Sequence, residues 1–529
     1  MKKITFLFII VLMLGNNACT DDFVEINESP YQVNDESLQQ DFNNVGAFYP
    51  PMLKNLFGHQ IEHNLSHDSW VRHLATPTPF VGGINNTTYY IRWNTYWNRI
   101  YGSIMSPATQ VTKVAIAEDY PVFVEWAKLI KLLGMSRLTA YHGPVIYTKF
   151  GEEPAKYDSE PVLYNAFFTQ LDEIHAVFSA NKDYTGLGKF DASYGGDMSA
   201  WLKLVNSMRL RLAIRLSKVD PALAQTQGEK AMSDPEGLID TNGDNFMVNL
   251  YGAVFPPVTI SFGWGDTRMS ASMESVLIGY DDPRIAKFFD PITENDLGQL
   301  PDVSDHPTYP YKGIRNGAEL VAKGDRLFYS NISSDFKTVE ERRFFTAAEV
   351  KFLKAEAALR GWAGTGGTAW ELYEAGVNDS FEDWGAGGAA TYLANDTGLP
   401  IDYTDPAAVG DINSFVNRIN STVAWNDAGT NEEKLEKIIT QKWINGYTNS
   451  IEPWVDHRRT GYPLLPFNYK NDSNADWGVI PADEFLKRQV FLTSQRENNS
   501  ASVAEATGFL GGPDEIGTRL WWDTGGSNF

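Results

Sequence analysis

The sequence predicts a mostly helical protein that carries long irregular loops on one face. Three observations support this. Apolar residues recur every three or four positions over five separate stretches. Long segments rich in Gly, Pro, Asn and Asp lie between those stretches, chiefly 235–345 and 385–430. Beyond the first residues, no apolar run is long enough to span a membrane.

The elements follow in chain order. Lys2 and Lys3 precede the apolar run Ile4–Leu14, about half of the ~20 residues that a membrane span needs. A basic start, a short apolar run and then Gly15-Asn16-Asn17-Ala18 form an export signal over residues 1–18. Cys19 is the only cysteine, so it has no internal disulfide partner. Its place right after the signal, with small Ala18 before it, makes it a lipidation site; Asn16 stands where such boxes usually carry Leu. Acyl chains at Cys19 would hold the protein to a membrane through buried methylenes. Residues 19–35 are acidic and loop-like, which suits a tether, and residues 36–529 are expected to form a single domain.

The first clear helix is Pro121 to about Tyr141, with Val124, Leu129, Leu132 and Leu133 on its apolar side. Val162 to Phe178 follows, with Leu163, Phe167, Leu171, Ile174 and Phe178 in register. From about Ser199 to Ser217, Trp201, Leu204, Val205, Met208 and Leu212 make the stripe, and Arg209, Arg211 and Arg215 are expected on the polar side. Ala347 to Arg360 carries Ala355, Ala357 and Ala358, small enough to let another helix approach. Glu432 to Ile444 is the fifth. The helices come in antiparallel-looking pairs, as in tetratricopeptide arrays, yet no 34-residue self-repeat is visible, so a regular solenoid is not expected.

Charge narrows the function. The net charge is −23, and loss of residues 1–18, with Lys2 and Lys3 and no acid, makes it −25. Such a chain repels phosphate backbones and anionic lipid, which argues against nucleic-acid binding. Aromatics are 13% of the chain, with 15 Trp and 24 Tyr, so some are expected at the surface. There a flat apolar face with a polar edge suits carbohydrate stacking.

Two motifs imitate metal sites. His59-Gln60-Ile61-Glu62-His63 spells an inverted zinc-protease pattern, with two histidines for zinc and Glu62 as base. Four of the eight histidines fall between His59 and His73. A five-residue pattern recurs by chance, and no other feature points to such an enzyme, so packed or solvent-facing histidines are expected. Asp240-Thr241-Asn242-Gly243-Asp244 opens like a calcium loop, but Asn245 and Tyr251 stand where Gly and Glu are required, so a tight polar turn is expected. No P-loop, nucleophile elbow or dinucleotide fingerprint occurs, and no catalytic residue, metal or cofactor is assigned.

A family resemblance rests on several blocks in order. These are His142-Gly143-Pro144-Val145-Ile146-Tyr147, Asn206-Ser207-Met208-Arg209-Leu210-Arg211-Leu212-Ala213, Asp282-Pro283-Arg284, the helix from Glu349 to Arg360, Gln441-Lys442-Trp443-Ile444, Trp454-Val455-Asp456-His457-Arg458-Arg459-Thr460-Gly461-Tyr462-Pro463, and Thr518-Arg519-Leu520-Trp521-Trp522-Asp523. Together they resemble the SusD/RagB family of surface lipoproteins. Thr20-Asp21-Asp22 resembles the surface-export signal of Bacteroidetes lipoproteins. The resemblance implies a tetratricopeptide-like helical scaffold, a lipid anchor in the outer membrane facing the exterior, and no catalysis. It also implies a TonB-dependent β-barrel transporter as partner and an oligosaccharide as ligand, or in one branch a peptide. A secreted helical hydrolase is the alternative outside the family.

Two aromatic-rich regions are the candidate ligand face: Trp70 with Tyr89 and Trp93, and Trp264 with Asp266 and Arg268. Each mixes aromatic faces with fork-like donors and acceptors. Trp264 stands between glycines that leave its ring uncovered. Trp97 lies at helical spacing from Trp93 and is expected in the core, as are Trp443 and Trp454.

Overall fold

The computed structural model describes residues 40–292, 310–407 and 412–529. The signal segment, the tether and Cys19 lie outside the described residues. Helices dominate, and strands are few and short.

The helices stack in sequence. α1 (Ser106–Ala117) packs on α2 (Pro121–His142), α2 on α3 (Glu160–Ala180), α3 on α4 (Met198–Arg215), and α4 on α5 (Pro221–Ser233). After the short α6 (Ala271–Gly279), α7 (Ala347–Leu359) joins α4 to the second half, pairing with α8 (Ala369–Asp383) and α9 (Asn431–Asn445). α10 (Ile451–Thr460) touches α2, α4 and α9, and α11 (Ser500–Phe509) follows near the end. These are tetratricopeptide-like helical pairs, as the periodicity predicts.

Local chemistry sets the helix starts. Asp197 caps α4 by accepting from the Ser199 (2.9 Å) and Ala200 (3.2 Å) amides. Thr368 and Glu371 form a reciprocal capping box on α8, as Thr430 and Glu433 do on α9. Proline stands in the first turn of α1, α2, α3 and α5, where no amide bond is lost. Gly376 lets α8 approach α7: a Cβ there would sit 2.7 Å from the Phe352 ring.

The arginines of α4 depart from expectation. Arg209, Arg211 and Arg215 are all buried. Arg211 binds Glu349 of α7 at 2.9 and 2.7 Å, Arg215 binds Glu452 of α10 at 2.8 Å, and Arg209 pairs with Asp172 of α3. Carboxylates on three other helices make the burial tolerable, because a lone buried guanidinium would be expelled.

The 235–345 stretch holds more regular structure than a loop. β2 (Phe246–Asn249) pairs antiparallel with β4 (Glu341–Phe345). A second pair, β1 (Leu74–Ala75) with β3 (Arg268–Met269), stitches the two aromatic-rich regions together. One large core runs through the helices, and a small satellite of Ala75, Ile292, Ile314, Ala318 and Tyr329 sits under the loops.

Candidate functional site

The site is built around Trp264. The preceding residues, Thr259–Gly263, form a single π-turn, and the chain then reverses through Gly265, whose φ of 67° suits glycine. The Trp264 amide donates to the Thr259 carbonyl (2.9 Å) and the Asp266 amide to the Ile260 carbonyl (2.8 Å). The indole is left 46% exposed, and among the described residues the one ring beside it is that of His59, at 5.5 Å. Burial lowers the His59 pKa, which leaves that ring neutral beside the indole.

Asp266 fixes the platform from beneath. One carboxylate oxygen accepts from Thr78 Oγ1 (2.6 Å) and Lys323 Nζ (2.7 Å), the other from Gln60 Nε2 (3.1 Å). Its carbonyl accepts from Asn64 Nδ2 (2.6 Å). Lys323 Nζ also reaches the Trp264 carbonyl at 2.5 Å. Three distant segments therefore converge under one ring. Arg268 has a similar supporting role: its guanidinium donates to the carbonyls of Leu327 (2.8 and 2.6 Å) and Thr267 (2.6 Å). Both residues are buried, so they position the tryptophan and do not face solvent.

Trp93 is half-buried and meets Phe80 edge-on at 6.2 Å. Asn86 clamps its strand-like segment, accepting from the Arg92 (2.8 Å) and Trp93 (3.2 Å) amides and donating to the Trp93 carbonyl (2.7 Å). Phe80 lies two residues beyond Thr78, so the contacts run from Trp93 through Phe80 and Thr78 to Asp266 and Trp264.

Trp70 and Tyr89 are not part of this face. Trp70 is 2% exposed, packed 4.9 Å from Trp454 and 6.1 Å from Tyr141, with its N–H on the Asn86 carbonyl. Tyr89 is 1% exposed, and its hydroxyl accepts from Arg72 Nη2 at 3.2 Å. Both are core anchors of the loop that presents Trp93. Trp97, Trp443 and Trp454 are buried, as expected. His59, Gln60, Phe80 and Lys323 join the site unforeseen, because their places depend on chain segments far apart in sequence.

The two metal-like motifs are used differently. His59 precedes a turn of 3-10 helix and His63 opens a π-turn, so they do not share an α-helical face. Arg342 Nη2 donates to His63 Nε2 (3.2 Å), so His63 keeps its proton on Nδ1 and donates to Asp68 (3.0 Å). His67 Nδ1 meets the other Asp68 oxygen at 2.8 Å. His63, His67 and Asp68 lie close enough to surround an ion, but the His63 Nδ1–H occupies the place of a lone pair. Glu62 accepts from the His59 amide (2.8 Å) and Thr95 Oγ1 (2.6 Å), as a cap and not as a poised base. In the calcium-like segment, Asp244 accepts from Lys203 Nζ (2.6 Å) and the Thr241 amide (3.0 Å), and Asp240 pairs with Lys351. Lysine ammonium groups take the place of a cation there.

The helical-hairpin scaffold thus presents an exposed tryptophan whose neighbouring carboxylate, Asp266, is engaged as a support. The chain belongs to the SusD-like family, the SusD and RagB outer membrane lipoproteins, whose family model matches residues 25–523. It is similar to a chitin-binding SusD homologue of Flavobacterium johnsoniae at 39% identity and a TM-score of 0.85, over 92% of this chain and 100% of that one. A SusD homologue of Bacteroides vulgatus is 32% identical (TM-score 0.84; 92% and 99% covered). A SusD-like protein of Bacteroides thetaiotaomicron is 30% identical (TM-score 0.82; 91% and 99% covered). No functionally curated protein matches the chain. Among the described residues, no helix is long and apolar enough to cross a membrane.

Proposed function

We propose that this protein captures an oligosaccharide at the Trp264 face and passes it to a TonB-dependent β-barrel transporter, held to the outer membrane through lipidated Cys19 and facing the exterior. The observation that carries the reading is Trp264 itself. It is a large aromatic ring, 46% exposed, on a loop fixed by Asp266 and Lys323. A sugar ring presents one apolar C–H face, which stacks on an indole, while its hydroxyls reach polar groups at the edge. His59 stands beside the ring, and Gln60 and Thr78 hold the Asp266 carboxylate beneath it.

The chitin-binding relative makes β-linked N-acetylglucosamine oligomers the first ligand to try. Titration calorimetry with oligomers of two to six residues, beside malto- and cello-oligosaccharides of the same lengths, tests the reading. Roughly micromolar or weaker affinity for one series, lost on Trp264→Ala, is expected. Absence of heat with every series would overturn it. Palmitate labelling that disappears on Cys19→Ala tests the anchor, and co-purification of a β-barrel from detergent extracts tests the partner.

A further inference from the structure

A second tryptophan lines a cleft that the Trp264 face does not use. The cleft measures about 250 Å³ and is walled by Arg92, Asn94, Trp477, Leu492, Thr493 and Ser494, among others. Trp477 sits on a short turn: its amide donates to the Asn474 carbonyl (3.3 Å) and its carbonyl accepts from the Ile516 amide (2.7 Å). Arg496, held by Asp514 at 2.9 and 2.6 Å, stacks over the indole at 5.0 Å. The rest of the half-buried ring borders the cleft.

Several polar groups around this ring keep hydrogen-bonding capacity to spare. Among the described residues Arg92 hydrogen-bonds only through Nε, on the Ile84 carbonyl (2.7 Å), with its guanidinium 4.7 Å from the centre of the Tyr90 ring. Asn94 uses only Nδ2, on the Val490 carbonyl (2.8 Å). Among the described residues, the Trp477 indole N–H, the Arg92 Nη atoms, Asn94 Oδ1 and the Thr493 and Ser494 hydroxyls have no protein partner. These groups donate and accept in nearly equal measure. An anion would leave Asn94 Oδ1 without a donor, and an apolar ligand would strand all of them. Sugar hydroxyls, each donor and acceptor at once, can answer the whole set.

The cleft and the Trp264 face share one structural element. The segment from Thr78 to Asn94 bonds Asp266 at its start and the Val490 carbonyl at its end. The loop that carries Trp477 docks on the same segment, through the Asp472 amide on the Thr88 carbonyl (2.7 Å) and Asn468 Nδ2 on the Thr87 carbonyl (3.0 Å). We infer that the Trp477 cleft is a second subsite that takes an uncharged sugar residue of the same oligosaccharide. This inference rests on the oligosaccharide reading of the Trp264 face.

Fluorine NMR of the purified mature protein in detergent, labelled with 5-fluorotryptophan, reads the two sites separately. The Trp264 and Trp477 signals are assigned with Trp264→Phe and Trp477→Phe. Titration with N-acetylglucosamine, cello- and malto-oligosaccharide hexamers should shift both signals for one series. Calorimetry should then show Trp477→Ala weakening the hexamer by about tenfold, roughly the effect of losing one ring contact, with the dimer affinity unchanged. An unmoved Trp477 signal at saturating hexamer, while Trp264 responds, would overturn the subsite and leave the main reading intact. A Trp477 shift with Trp264 unmoved would keep the cleft as a sugar site and sink the Trp264 reading. If neither signal moves for any hexamer, both fall. An unchanged melting temperature in Trp477→Phe shows that the fold is preserved.

Discussion

The Trp264 loop and helix α10 have similar compositions and opposite uses. Both combine tryptophan with aspartate, arginine and a nearby glycine. In α10 the Trp454 ring is covered on all sides: Trp70 and Tyr141 pack on it at 4.9 and 5.1 Å, and the Arg458 guanidinium lies 3.4 Å above it. In the loop, among the described residues, the ring meets one other ring, that of His59. The charged residues turn inward in both. Arg459 binds Glu356 at 2.6 and 2.7 Å and Asp456 at 3.1 Å, much as Asp266 gathers Thr78, Gln60 and Lys323. What separates scaffold from site is therefore whether another segment covers the ring, and not the residue types.

Acid treatment should break the scaffold side most strongly. Burial holds His63 and His73 down to about 4, and His142 and His457 down to about 3. Their folded pKa values lie below the unfolded value near 6.5, so their stabilisation is present above pH 6.5 and is lost as pH falls. Each costs up to ~1.4 kcal/mol per pH unit. Burial raises Glu160 and Glu436 to about 7 and Asp379 to about 6, and their cost is relieved as pH falls below 7. The four histidines outweigh these three carboxyls, so the melting temperature should fall from pH 7 to pH 5. A flat or rising value over that range would contradict the assignment of neutral buried imidazoles.

Arg459→Ala should come next. It leaves Glu356 fully buried with only Arg360 beside it; burial alone would raise that carboxyl, and the two guanidiniums hold it at about 2. A loss of about 3–5 kcal/mol in urea unfolding is expected. A loss under ~1 kcal/mol would mean that the pair is not desolvated in solution.

On the loop side, Asp266→Ala should cost about 1–3 kcal/mol, since it strands Lys323 and Thr78 partners. It should also weaken glycan binding although it does not face solvent, because Trp264 loses its support. Normal affinity in this variant would show that the platform is set by the π-turn alone. Trp264→Ala is the smallest in stability, within ~0.5 kcal/mol by chemical denaturation. A large destabilisation there would show that the ring is covered in solution, and the contrast with Trp454 would disappear.

Much of the scaffold was legible in the sequence. The periodic stripes place α2, α3, α4, α7 and α9 within two residues of their ends, because large apolar residues define those faces. α5 escapes, since it buries only Ala224, Gly228 and Ala231 and shows no stripe. α10 escapes as a helix because Pro453 and the cations His457, Arg458 and Arg459 disguise it, although proline in a first turn breaks no bond. The site was legible in part. Glycines beside Trp264 do mark an uncovered ring, but Trp70 looks just as available until Trp454 arrives from the far end of the chain. The sequence places Arg209, Arg211 and Arg215 on a polar side for the same reason: their carboxylates lie on other helices.

The inward turn of the arginines also shapes how a ligand arrives. Arg72, Arg137, Arg209, Arg215, Arg284 and Arg459 are among the most fully enclosed large side chains in a chain of net charge −23. Buried acids such as Asp282, Glu349, Glu356 and Glu452 match them, so the net negative charge is left to the exposed residues. An uncharged glycan crosses that field without a barrier, and its association rate should be indifferent to ionic strength. A uronate- or sulfate-bearing polymer meets repulsion that reaches ~8 Å in physiological salt and shortens as salt is added. On the proposed reading, a glycan's charge would therefore set its rate of arrival before any ring is stacked.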